Sequence, residues 1–328
     1  MRRLRRHRRS RSNLGMTRRT LLGAAASAAS LSAATVPISA WPVCAFSKHF
    51  QWLSVKDAAA LVKDLGYDAL DLTVRPGGHI EPAQVADALP KAVEEIRAAG
   101  LTAPMITAGI VDVRTRHTEA VIRAAAKLGI KRYRWGGFRY DASKPIPQQI
   151  EEFRVLSKEL SALNKQYGVC AMYHTHSGAG QFGASFWDIW SVLRDLDNDA
   201  VSVNLDIAHA TIEGGLGGWI NSTRLIAPMA RGVAVKDFHW ARNAGKGNKW
   251  DVHWCPMGEG MVNTTQFLKM MKAAGFNGPL QLHMEYEELG GADSGKRTIS
   301  ISRDEFVRLA KRDVERLRAN MKEAGISQ

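Results

Sequence analysis

Residues 42 to 324 repeat one unit: a short, nearly continuous apolar run, then a longer stretch with apolar residues every three or four positions. The apolar runs fall at Pro42 to Phe46, Ala69 to Thr73, Thr102 to Ile110, Arg132 to Trp135, Val169 to His174, Val201 to Asp206, Gly232 to Asp237 and Pro279 to His283. Runs apolar on both faces suit buried parallel strands. The helical stretches are Val55 to Leu65, Pro82 to Ala99, Glu119 to Leu128, Gln148 to Tyr167, Phe186 to Leu196, Asn221 to Ala230 and Thr264 to Ala274. Gly66, Gly100, Gly129, Gly168 and Gly275 stand at helix-to-strand junctions, where a left-handed residue ends a helix. Eight such units predict an α/β fold, a closed (β/α)8 TIM barrel, as a single domain over residues 41–328, with Arg303 to Ala324 as a last outer helix.

Four of the predicted strands end in side chains that handle metals or protons: Tyr173-His174-Thr175-His176, Asn204-Leu205-Asp206 with His209 beyond, Lys236-Asp237, and His283-Met284-Glu285. Strand side chains alternate faces, so His174 with His176, Asn204 with Asp206, and His283 with Glu285 share a side. Polar groups at the C-terminal ends of successive strands are where such a barrel builds its active site. Two loops are long enough to be functional: Arg75-Pro76-Gly77-Gly78-His79, and Trp240 to Asn263, which includes Gly258-Glu259-Gly260. The second, rich in Gly and Trp, reads either as a hinged lid that stacks on an apolar sugar face or as a solvated crossover. Arg134, near the end of the fourth strand, is a candidate for an acidic sugar or a phosphate. No phosphate-cradling glycine loop is present.

Charge changes the picture at one end only. The net charge of +13 over 328 residues invites a nucleic-acid reading, yet residues 1–20 hold nine Arg and no acid, and the remainder carries only about +4. Thr17-Arg18-Arg19-Thr20-Leu21-Leu22 precedes an apolar, small-residue run ending near Ile38-Ser39-Ala40. Residues 1–40 resemble a twin-arginine export signal. The expected address is periplasmic or secreted, with the export machinery as a partner, cleavage after Ala40 and no nucleic-acid partner. The alternative is a basic tail followed by a membrane anchor, for which the run is short. Cys44, Cys170 and Cys255 are widely spaced and form neither a disulfide framework nor a thiolate knuckle.

From residue 42 to 324 the chain resembles the sugar phosphate isomerase/epimerase family of xylose isomerase-like barrels, which includes inosose dehydratases, ketose 3-epimerases and, more distantly, endonuclease IV. The marks are Leu65-Gly66-Tyr67-Asp68, Tyr173-His174-Thr175-His176, Leu205-Asp206-Ile207-Ala208-His209, Val235-Lys236-Asp237, Gly258-Glu259-Gly260, and Phe276-Asn277-Gly278-Pro279 leading to Glu285. The resemblance implies a divalent metal held by Glu, Asp, His and Glu on the fifth to eighth strands, polarising a sugar carbonyl. Here the Asp position is Asp206, but the two Glu positions hold His174 and His283, and the His position holds Ala234.

The expected ligands are therefore His174, Asp206 and His283, with His176 or Glu285 as further donors, for manganese, zinc, iron or a similar ion. Glu285 and Lys236 are the candidates for proton transfer, and His209 for contacting substrate or orienting Asp206. Arg75, His79, Arg134, His176 and Glu259 are the candidates for holding the carbohydrate. Loss of a proton next to a carbonyl fits isomerisation, epimerisation or elimination on a sugar, keto-sugar or cyclitol. The competing readings are a non-catalytic carbohydrate-binding barrel, prompted by the altered ligand positions, and an endonuclease, which the leader and the modest charge of the body disfavour.

Overall fold

The computed structural model describes residues 41–327; the leader read from residues 1–40 lies outside them. Eight parallel strands close into a barrel: β1 (Val43–Phe46), β2 (Ala69–Val74), β3 (Met105–Ala108), β4 (Arg132–Trp135), β5 (Cys170–His174), β6 (Val201–Asp206), β7 (Ala230–Val235) and, after a hairpin, β10 (Leu280–Leu282). Each pairs with its sequence neighbour, and β10 pairs with both β7 and β1 to close the ring.

Outside lie α1 (Val55–Asp64), α2 (Val85–Ala98), α3 (Thr118–Lys127), α4 (Ile146–Tyr167), α5 (Phe186–Leu193), α6 (Ile207–Gly214), α7 (Gly218–Ile226), α8 (Thr264–Ala273) and α9 (Arg303–Glu323). Gly168 shows how units join. It ends α4 at φ 63°, ψ 39°, a conformation open to glycine, and returns its N–H to the carbonyl of Asn164.

Alternation along the strands makes two cores. Leu70, Leu72, Ile106, Tyr173, Val203, Leu205, Val233, Leu280 and Leu282 are fully buried between sheet and helices. Each such side chain contributes about 1.5–3 kcal/mol of apolar burial. The barrel interior is different, because its middle layer is polar. Asp71 accepts hydrogen bonds from Thr107 Oγ1 (2.6 Å) and Gln281 Nε2, and Gln281 Oε1 accepts from Asn204 Nδ2. The layer above it, at the strand C-terminal ends, carries the chemistry.

Three expectations need correction. The third strand is shorter than Thr102 to Ile110, and the helix expected at Asn221 to Ala230 begins at Gly218. A separate helix, α6, starts directly at the end of β6, because Asp206 caps it through Oδ1 to the N–H groups of Ala208 and His209. The segment read as a glycine-rich lid loop is largely an antiparallel hairpin, β8 (Asp237–Asn243) with β9 (Lys249–Cys255), paired from Asp237↔Cys255 to Asn243↔Lys249. Its root is pinned by Asp237, which accepts from the backbone N–H of Gly258 (2.9 Å), Gly260 (3.2 Å) and Val262 (3.1 Å).

Candidate active site

Asp206 ends β6 and is fully buried at the centre of the upper layer. While Oδ1 caps α6, Oδ2 faces inward with no hydrogen-bond partner among the described residues. Around it stand His174 Nε2 at 3.7 Å, His283 Nδ1 at 3.9 Å, His209 Nε2 at 4.0 Å and Lys236 Nζ at 3.4 Å. His174 ends β5, His283 follows β10, Lys236 follows β7 and His209 lies in the first turn of α6. Alternation brings them together, as the sequence pattern implies.

Burial pushes the carboxyl of Asp206 above its ordinary range, against the pull of Lys236. Burial also drives His174, His209 and His283 well below the usual histidine value, and neighbouring cations add to the effect. His176, half-buried beside Arg134, falls to about 3, mainly through desolvation and then the Arg134 charge. The four imidazoles are therefore neutral near pH 7 and keep their lone pairs, the form that ligates metals.

The test of a metal is the state of these atoms. Asp206 Oδ2, His174 Nδ1 and both ring nitrogens of His283 are buried and unpartnered among the described residues. One ligand atom each from His174, Asp206 and His283 lies within 4.8 Å of the others. Two imidazoles and a carboxylate fit a divalent transition ion. His174, His176 and His209 form a second such trio that shares His174. Ala234, where the family resemblance expects a fourth ligand, is buried in the wall of the barrel and pairs in register with Asp206 and Gln281.

Beside this group runs a chain of proton-bearing side chains. Lys236 Nζ, almost fully buried, lies 2.7 Å from Glu285 Oε2 and 2.8 Å from His209 Nε2. Glu285 Oε1 accepts from Lys48 at 2.8 Å. Burial alone would raise the Glu285 carboxyl, but Lys236 and Lys48 outweigh it and hold it well below its usual range. His209 Nδ1 accepts from the Ser177 N–H at 3.1 Å, so the proton of the neutral ring sits on Nε2, aimed at Lys236. The Trp254 ring of β9 covers Lys236 at 4.3 Å and meets the His209 ring at 5.5 Å.

The remaining candidates divide. Arg134 reaches His176 Nε2 at 3.2 Å, and Arg75 and Arg134 both lie over the Phe46 ring, at 5.7 and 5.4 Å. His79 instead ties the chain locally, its Nδ1 within 3.2 Å of Ser47 Oγ and 3.4 Å of Thr73 Oγ1. Glu259 stands apart from the cluster, its carboxylate paired with Arg312 of α9 at 3.1 Å. Sequence reasoning passed over Phe46, which ends β1, and Lys48 and His49, which follow it. Phe46 stacks on His283 at 4.7 Å, and His49 Nε2 accepts from the Met284 N–H. Their signal was position alone, the C-terminal end of the first strand, where the other candidate groups also sit.

Comparison with known proteins places this architecture. Residues 59–319 match the family described as xylose isomerase-like TIM barrel. No curated protein matches. Among solved structures, L-ribulose 3-epimerase superposes with a TM-score of 0.62 at 14% identity, covering 87% of this chain and 96% of its own. A xylose isomerase-like TIM barrel protein from Mycobacterium smegmatis, in complex with magnesium, gives 0.59 at 17% identity over 88% of this chain and 100% of its own. The 3-keto-D-glucoside 4-epimerase from E. coli, in apo form, gives 0.59 at 13%, over 85% and 99%. At these identities the likeness is one of fold, and the family match covers most of the sequence. The chain belongs to the xylose isomerase-like TIM barrel family.

Proposed function

We propose that the protein is a divalent-metal-dependent isomerase, epimerase or lyase that removes a proton next to the carbonyl of a sugar, keto-sugar or cyclitol. The observation that carries this reading is Asp206 Oδ2, buried and accepting no hydrogen bond, faced by the neutral imidazoles of His174 and His283 and by Lys236 at 3.4 Å, which in turn pairs with Glu285. The ion would be held by His174, Asp206 and His283. When bound it would supply Lewis-acid polarisation of a carbonyl and its neighbouring hydroxyl.

The protein's own groups do the rest. Lys236 is the candidate base: Glu285 accepts from it, so a proton taken at Nζ can pass to that carboxylate, while the Nε2–H of His209 faces the amine and positions it. Lys48 fixes the other oxygen of Glu285 and so holds that carboxylate at the mouth. Trp254 shields Lys236 from water. His176 and Arg134, in contact at 3.2 Å, are hydrogen-bonding groups for sugar hydroxyls. The leader extends the proposal to export, which favours a free sugar or glycoside over a phosphorylated intracellular metabolite. Structural relatives named as epimerases of ribulose and of a 3-keto-glucoside support the substrate class.

The test is proton washout. Protein loaded with Mn²⁺ or Zn²⁺ is incubated in D₂O with a panel of ketoses and keto-glucosides, and deuterium at the carbon next to the carbonyl is read by NMR. Exchange is expected for at least one compound whatever the final product. No exchange across the panel, with metal bound, overturns the proposal.

A further inference from the structure

Arg75 and Arg134 stand out in the cup because no carboxylate among the described residues pairs with them directly. Lys48 and Lys236 share Glu285, and Lys236 also faces Asp206. The two guanidiniums, in contrast, make no ion pair with a carboxylate among the described residues. Both rest on the Phe46 ring, and the one hydrogen bond of Arg134 goes to neutral His176. Arg75 has only the ring beneath it, with Gly109 beside it, where an added Cβ would come within 3.3 Å of Arg75 Cβ. The fields of Asp71 and Glu285 reach both arginines, but Asp71 Oδ2 is used by Thr107 and Gln281, its Oδ1 is buried without a hydrogen-bond partner, and neither carboxylate makes an ion pair with Arg75 or Arg134 among the described residues. Burial lowers Arg75 and pushes Arg134 down to about 10, so both are held in a setting that disfavours their charge.

Two half-buried guanidiniums on one aromatic floor, unpaired, and turned to the same space as Lys236 and Glu285, form a receptor for an anion. A bound divalent ion would make the cup more positive still. Resting on the reading of the site as one for keto-sugars, we infer that the substrate is acidic: its far end carries an anionic group seated between Arg75 and Arg134, a carboxylate if the protein is exported and a phosphate as the competing arm of the test, while its carbonyl end lies at Lys236 and Glu285. The arginines select and orient the sugar, and both rest against the Phe46 ring.

The experiment uses the full chain and three ketoses that differ at one carbon: D-fructose, D-fructuronate with C6 as a carboxylate, and D-fructose 6-phosphate. Affinities are measured by calorimetry for wild type, Arg75→Met, Arg134→Met and Arg75→Lys. At least one anionic ketose should bind wild type about tenfold to a hundredfold more tightly than fructose, the range of charge-assisted contacts to arginine. The larger gain, for carboxylate or phosphate, identifies the group. Each Met variant should erase about tenfold or more of that advantage, read as the ratio of anionic-ketose to fructose affinity in the same variant, while Arg75→Lys retains part of it. An advantage absent in wild type, or one that survives both Met variants, overturns the inference. If fructose shows neither binding nor exchange while the anionic ketose still binds through the arginines, the anion site stands and the broader reading for neutral sugars fails. If none of the three binds, both fall.

Discussion

Asp206→Asn separates the two duties of one carboxylate. Oδ1 caps α6 and Oδ2 faces the candidate metal position. Asparagine caps a helix about as well as aspartate, so the start of α6 should survive, whereas Asp206→Ala should lose about 1 kcal/mol from the cap alone. The native carboxyl is buried and raised above its ordinary value, so the native state binds a proton more readily than the unfolded chain does. Its stability contribution therefore declines as pH rises above the unfolded value, and a neutral amide removes that penalty. Without metal, then, Asp206→Asn should be at least as stable as wild type at pH 7. With Mn²⁺ or Zn²⁺ at a hundredfold excess over its dissociation constant, wild type should gain about 2.7 kcal/mol. That corresponds to roughly 4 to 5 °C in Tm for a domain of this size. Asp206→Asn should gain little, and elemental analysis should find its metal depleted. A metal-induced shift in Asp206→Asn equal to that of wild type would refute the assignment, as would an apo Asp206→Asn that melts as low as Asp206→Ala.

Lys236→Met keeps the length of the side chain and should lower deuterium exchange by about 10²- to 10⁴-fold while metal content stays unchanged; retained exchange moves the base elsewhere. Asp71, raised to about 6 by burial, should lower native stability as pH climbs from about 4 to 6, because the unfolded chain releases that proton first. Asp71→Asn should then add about 1–3 kcal/mol at pH 7 relative to pH 4 in urea titrations. The trend should flatten without vanishing, since Asp188 and Asp313 are also raised to about 6. Removing residues 1–40 should leave a soluble, cooperatively melting barrel; aggregation with metal supplied would count against the boundary at Ala40.

The barrel was legible because each unit carries its own local signals: a buried run, an amphipathic helix and a terminal glycine such as Gly168. The convergence of His174, Asp206, Lys236 and His283 followed from alternation, since β5, β6, β7 and β10 are neighbours in the ring. What escaped depends on contacts between distant positions. Lys48 meets Glu285 across 237 residues, and the role of Asp71 emerges only with Gln281 beside it. The hairpin did carry a signal, the alternation of Phe238, Trp240, Trp250, Val252 and Trp254, but Gly245 and Gly247 drew attention to the turn and away from its strands. Glu259 followed the resemblance into the site, while the fold turns it toward Arg312.

Lys236 and Asp237 are consecutive residues, yet one points into the barrel and the other locks the segment 258–262 to the base of the hairpin. The peptide bond between them is thus a module boundary. Upstream, the strand register fixes the Lys236 amine; downstream, the ladder from His239 to His253 is held at its root by the Asp237 carboxylate and does not need its own sequence to keep Lys236 in place. Gly260 belongs to this boundary, because a side chain there would collide with Asp237. The segment 239–253 can accordingly be exchanged as a cassette, keeping Trp254 as the cover over Lys236, to alter which sugars are admitted while the proton-handling residues remain where they are.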